Sequence, residues 1–203
     1  MKKLLDPQNK IFAAIGFLGD HLLLGLLWVL CSLPVVTGGA ASAAACAVSR
    51  KLCTGEEQKL VPDFFRAFRR EFSHATKLWL LVLGIGAVLT VDVYVYFTAA
   101  PGSPILLGFT GLLVLVYLIC LCWMYPYTAV FQGGLVRTAK MSFLLGMSNL
   151  GWSAVMLAID LGLCVLTLYV PFLTPFLPGL FTLTASLVTG RAFRKYLPKE
   201  ETD

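Results

Sequence analysis

The chain has 203 residues, 58% hydrophobic and only 13% charged, with sixteen Lys and Arg against eleven Asp and Glu for a formal net charge of +5. A soluble domain carries about 25% charged residues, so this composition excludes one and indicates an integral membrane protein. Six cysteines, Cys31, Cys46, Cys53, Cys120, Cys122 and Cys164, lie mostly inside apolar runs without metal-type or disulfide-framework spacing, and read as small packing residues.

Residues 1–20 place Lys2, Lys3 and Lys10 around the start of an apolar stretch, IFAAIGFLG, that ends at the polar pair Asp20 and His21. This pattern predicts an interfacial helix on the cytoplasmic side, with Asp20 and His21 at a headgroup boundary and Asp20 a candidate polar site. The apolar run beyond exceeds the roughly 7 to 15 residues of a signal-peptide core and further spans follow it, so cleavage is not expected.

Leu22 to Val36 predicts the first span, Thr37 to Gly39 a turn, and Ala40 to Cys53 a return helix rich in Ala, Gly and Ser. Pro34 cannot continue a helix without loss of a hydrogen bond, and Gly38 and Gly39 tolerate the positive φ of a tight reversal. In hydrocarbon such a break survives only where it faces protein, a cavity or headgroups. Small residues suit close helix contact on either side of it.

The block from 54 to 77 is basic and predicts a cytoplasmic amphipathic segment. Phe64, Phe68 and Phe72 recur at i, i+4 and i+8, with Arg66, Arg69 and Arg70 projecting elsewhere. Such a helix lies in an anionic membrane surface, or packs its phenylalanines on the protein's own helices. Leu78 to Phe97 then predicts a span containing Asp92, AAPGSP an outer loop, and Ile105 to Tyr125 a span ending in the interfacial aromatic cluster WMYPY.

Gln132 to Asn149 predicts a second semi-polar helix carrying Arg137 and Lys140. Leu150 to Val170 spans with Asp160, PFLTPFLPG turns, and Phe181 to Gly190 crosses once more before the basic tail 191–203. The predicted fold is all-α: one polytopic membrane bundle over residues 1–203, of about six membrane segments with the first pair a short hairpin. All sixteen basic residues then lie on one side, which the positive-inside rule assigns to the cytoplasm together with both termini. The succession of basic stretch, span with one aspartate, Pro/Gly loop and span occurs twice, from Pro62 and again from Gln132, a faint internal echo.

Phosphate loops, HExxH, GxSxG and paired CxxC motifs are absent from the sequence, and the two histidines are far apart. The chain therefore reads as non-enzymatic, with neither cofactor nor metal expected and no nucleic-acid partner. Asp92 and Asp160 are the remaining chemistry, since an ionisable group within a bilayer is by default a functional-site hypothesis. They are expected to be neutral and turned inward, or hydrogen-bonded to partners such as Thr90, Thr167 or tyrosine hydroxyls. Polar clamps between helices, a proton or substrate pathway, and docking to another membrane protein are the three roles open to them.

The stretch LLLGLLWVLCSLPVVTGGAASAA resembles a pattern of the YesL-like family of bacterial integral membrane proteins, a short span ending in Leu-Pro-x-x-Thr-x-Gly. The resemblance continues through DFFRAFRREFSHATKLW and the span ending at Asp92, and more loosely through YPYTAVFQGGLVRTAKMSFLLGMSNL. Gly25 stands where many members have Asn, and Gly39-Ala40 where Gly-Pro is common. The resemblance implies a Gram-positive-type plasma membrane and a genetic setting beside carbohydrate ABC importers, but no reaction. An accessory or assembly subunit for carbohydrate uptake, in contact with ABC importer membrane subunits, is the resulting expectation. The alternative is a small transporter or channel that uses Asp92 and Asp160.

Overall fold

The computed structural model describes residues 10–56, 59–99, 103–131 and 133–193. Seven α-helices follow one another: α1 (Lys10–Cys31), α2 (Gly38–Thr54), α3 (Leu60–Ala99), α4 (Pro104–Val130), α5 (Leu135–Ser148), α6 (Leu150–Tyr169) and α7 (Leu177–Phe193). Short 3-10 helices, Val35–Thr37 and Pro171–Phe176, join α1 to α2 and α6 to α7. No strand occurs among the described residues. The termini 1–9 and 194–203 and the loop residues 100–102, on which part of the predicted topology rests, lie outside them.

Four stretches, Leu60–Thr98, Pro104–Val130, Leu150–Tyr169 and Pro171–Gly190, are long and apolar enough to cross a membrane, and Ile15–Cys31 is a shorter apolar helix. In the first three, only 11% of the most apolar window is buried inside the protein, so most of its side chains face outward. That is the arrangement of helices solvated by lipid tails. The second member of the hairpin, α2, differs from the other helices. It has 17 residues, and Ala40, Ala41, Ala43, Ala44, Ala45, Val48 and Ser49 are all nearly or completely inaccessible. It is the inner helix of the bundle, packed against α1, α3, α4 and α7.

Alanine and glycine make that position possible because they let neighbouring backbones approach. A Cβ on Gly39 would fall on the Ala75 carbonyl and the Trp79 side chain, and one on Gly38 would lie 3.4 Å from the Trp79 ring. This corrects the role predicted for the pair. Gly38 has φ −55°, already inside α2, and Gly55, at the end of that helix, is the residue with positive φ among those described. Pro34 does end the first helix, and the reversal is made by Ser32 to Thr37. Its exposed carbonyls are satisfied locally: Thr37 Oγ1 donates to the Cys31 or Pro34 oxygen, and Trp79 Nε1 donates to Val35 O at 2.7 Å. Backbone groups inside a membrane protein require such partners.

The 40 residues of α3 form one helix about 60 Å long, which unites the predicted amphipathic segment with the span after it. Its N-terminal half runs antiparallel to α2. Phe64 is completely buried against Leu24, Leu27, Ala44, Ala45 and Val48, and Phe68 packs on the same cluster. Phe72 remains 41% exposed, contrary to the expectation that all three phenylalanines are buried. The reason is helical drift: eight residues turn Phe72 by about 80° from Phe64, and the face that meets α2 continues instead through Ala75 and Trp79. Arg66, Arg69 and Arg70 are exposed as expected.

On the other side of the bundle, Gly146 of α5 allows contact with Ile119 and Trp123 of α4. Trp123 is fully buried and donates from Nε1 to Ser153 Oγ at 2.8 Å, which ties α4 to the start of α6.

Candidate functional site

Two groups of polar contacts between helices involve ionisable residues. The first joins α1, α2 and α7 around Ser49. His21 Nε2 lies 3.0 Å from Ser49 Oγ, and His21 Nδ1 lies 2.9 Å from the Phe17 carbonyl. Ser49 Oγ is also 2.9 Å from Thr182 O, and the Ser186 hydroxyl donates to it at 2.9 Å. His21 and Ser49 are 0% exposed.

The proton positions follow from the chemistry of the partners. A carbonyl can only accept, so Nδ1 carries a hydrogen and donates to Phe17. In the neutral imidazole Nε2 then accepts the Ser49 hydrogen. If Nε2 also carries a hydrogen it donates to Ser49, whose own hydrogen turns to the Thr182 oxygen. Both states are satisfied by rotation of one hydroxyl, with every heavy atom in place.

Glycines set this geometry. A Cβ on Gly179 would coincide with the His21 carbonyl, and one on Gly25 would lie 2.9 Å from Phe176 O. Helices α1 and α7 therefore meet backbone to backbone, which brings Thr182 and Ser186, one helical turn apart, onto Ser49.

The second group contains the intramembrane aspartates. Thr110 Oγ1 of α4 donates to Asp92 Oδ2 of α3 at 2.8 Å, and Thr184 Oγ1 of α7 lies 3.0 Å from Asp160 Oδ1 of α6. In both cases the threonine stands on the next antiparallel helix, so the twofold succession in the sequence extends to side-chain contact. Thr184 is also 2.9 Å from the Phe181 oxygen. Its single hydrogen can go to a carboxylate at Asp160, or to Phe181 while its oxygen accepts from a protonated Asp160.

The partners suggested by local sequence are corrected by these contacts. Thr90 donates to Gly86 O at 2.8 Å and Thr167 to Cys164 O at 2.7 Å, each a carbonyl of its own helix. A threonine with a free carbonyl three or four residues back bonds there readily. Asp20 is half-buried, but its neighbour His21 is completely buried, so the pair does not sit together at a headgroup boundary. Ile15, Leu18 and Gly19 are exposed while the His21 ring turns into the bundle, where the Phe17 ring lies against it with centroids 4.6 Å apart.

Sequence reasoning missed Ser49, Thr182 and Ser186. The signal that could have found Ser186 is the run of hydroxyl residues along α7, whereas Thr182 takes part through its backbone carbonyl and left no side-chain signal. The hydroxyl and imidazole of Ser49 and His21 have the separation of a nucleophile and its base. Both are sealed from solvent, however, and neither of the two main cavities among the described residues reaches them. No group of three potential metal ligands occurs among the described residues.

An all-helical bundle with outward-facing apolar spans around a buried small-residue helix, tied by Ser, Thr, His and Asp contacts between helices, defines a multi-pass integral membrane protein. Residues 22–93, covering the hairpin and α3 as far as Asp92, match the family described as "Protein of unknown function, DUF624". The chain is also 27% identical over 183 residues to the "Uncharacterized protein YesL" of Bacillus subtilis (strain 168), an alignment covering 88% of this chain and 87% of that one. Both matches support the resemblance to the YesL-like family. No solved structure matches it.

Proposed function

We propose that the protein is a non-enzymatic accessory or assembly subunit for carbohydrate uptake in the plasma membrane, with its basic segments and both termini cytoplasmic. The observation that carries this reading is the small-residue helix α2, buried at the centre of the bundle; the two cavities beside α3 and α4 are not lined by Asp92 or Asp160. A carrier in its own right needs a route to its polar sites, whereas a scaffold needs none. The carbohydrate setting rests on the family resemblance, and the orientation on the one-sided distribution of Lys and Arg.

Purification of the tagged full-length protein in mild detergent, with identification of co-purifying membrane proteins, tests the role directly. Reproducible recovery of the membrane subunits of a carbohydrate importer is the expected result. Recovery of the protein alone from several detergents, with unaltered sugar-dependent growth of a strain lacking it, would overturn the reading.

The transporter alternative makes a different forecast for the aspartates. As clamps, Asp92→Asn and Asp160→Asn together keep hydrogen-bonding partners for Thr110 and Thr184, so both folding and sugar-dependent growth should persist. Asp92→Leu should lose about 1–3 kcal/mol, because the buried Thr110 hydroxyl is left without that partner, and Asp160→Leu should lose less, because Thr184 keeps the Phe181 carbonyl. Intact folding of the Asn double variant with lost growth would instead favour a pathway through the two carboxyls.

A further inference from the structure

We infer that the groove between α3 and α4 on its α5 side is a specific site for one anionic glycerophospholipid. Two cavities lie along this groove. A polar one of about 290 Å³ is lined by Arg70, Glu71 and His74 of α3, Thr128 of α4, and Phe131 and Gly133 beyond it. An almost wholly apolar one of about 260 Å³ lies between Leu81, Ile85 and Leu89 of α3 and residues including Val116 and Met124 of α4.

Residues 70, 74, 81 and 85 recur at i, i+4, i+11 and i+15, so both cavities open on one stripe of α3. On α4, positions 116, 120, 124 and 128 are likewise spaced by four. From His74 to Leu89 is about 22 Å along the helix. That distance passes from the headgroup level through one leaflet, whose hydrocarbon half is about 15 Å thick.

The charges match a phosphodiester at the polar end. Arg70 uses its Nε on Glu71 at 2.8 Å, which leaves its terminal nitrogens as further donors. Arg137 runs along Gly133, with its Cδ 3.3 Å from where a Cβ would stand. Arg70 and His74 thus line the polar cavity with Glu71, Arg137 lies beside its Gly133 wall, and apolar surface continues beyond them into the membrane. Basic pockets at this level between membrane helices recognise acidic headgroups. A soluble anion would leave the apolar half unused, and a zwitterionic lipid would bring its own cation against the arginines.

Native mass spectrometry of the delipidated full-length protein, titrated with phosphatidylglycerol or phosphatidylcholine, tests this site. One phosphatidylglycerol should bind in preference to phosphatidylcholine. Arg70→Gln with Arg137→Gln should weaken it roughly 30-fold, while the equal charge loss in Lys51→Gln with Arg69→Gln, away from the groove, should change it less than about twofold. Val116→Trp, which fills the apolar cavity without altering charge, should also abolish the adduct, and it carries the test if the arginine variant does not purify as a folded protein. Equal binding of the two lipids, equal loss in the two double variants, an unchanged adduct in Val116→Trp, or displacement of the lipid by inorganic phosphate would each overturn the proposal.

Discussion

Gly179→Ala unfolds or strongly destabilises the bundle, although the change adds one methyl group. The added carbon would occupy the position of the His21 carbonyl, and the Gly25 nitrogen lies 2.9 Å from it. Both obstacles are backbone, so no rotamer change relieves them and α1 must move off α7 as a unit. Overpacking a core generally costs about 1–3 kcal/mol, and a backbone obstacle places this substitution at or beyond the upper end. Movement of α1 would also pull His21 from Ser49. Gly162→Ala on α6 is the control. Nothing lies within 4 Å of its added carbon, and replacing a helical glycine should gain roughly 0.5–1 kcal/mol. Thermal unfolding in detergent, followed by loss of the monodisperse elution peak, should rank Gly179→Ala far below wild type and Gly162→Ala at or above it. Equal melting of Gly179→Ala and wild type would refute the close approach of α1 and α7.

Ser49→Ala produces the other large loss. Its hydroxyl meets His21, Thr182 and Ser186, so removing it leaves an imidazole nitrogen, a carbonyl and a hydroxyl in a dry interior with one partner fewer each. A stranded buried group costs about 1–3 kcal/mol. His21→Leu removes a different member of the same network and should cost a similar amount. The double variant should lose less than the sum of the two, with a coupling of about 0.5–3 kcal/mol, because the second substitution removes a group that the first had already stranded. Strict additivity in thermal or denaturant unfolding would show that the two residues do not act through each other. Ser186→Ala, which removes only a donor to Ser49, should be milder than Ser49→Ala.

The hairpin shows where local chemistry was a sufficient guide and where it misled. Pro34 is incompatible with a continuing helix wherever it stands, so its effect could be read without a structure. Two adjacent glycines support either a positive-φ turn or a close helix contact, and the choice depends on what lies opposite. Here Ala75 and Trp79 lie opposite, more than thirty residues along the chain. Phe64 and Phe72 illustrate the same limit on a single helix. They belong to one i, i+4, i+8 series, but Phe64 is completely buried against α2 whereas Phe72 is 41% exposed.

The sequence by itself determined the membrane class, the all-helical fold and the positions of most helices. Apolar run length, the cost of Pro within a helix and the distribution of charge act within a few turns of chain and require no partner. It also singled out Asp92 and Asp160, because a carboxyl in an apolar run is conspicuous against its immediate neighbours. Only the tertiary structure decided that α2 is the buried centre, that Thr110 and Thr184 hold the aspartates, and that His21 meets the Ser49 hydroxyl, 28 residues away on α2. A hydroxyl on a membrane helix can satisfy itself on its own backbone, as Thr90 does, or on a neighbouring helix, as Thr110 does. The two outcomes are close in energy and identical in sequence, so helix packing selects between them.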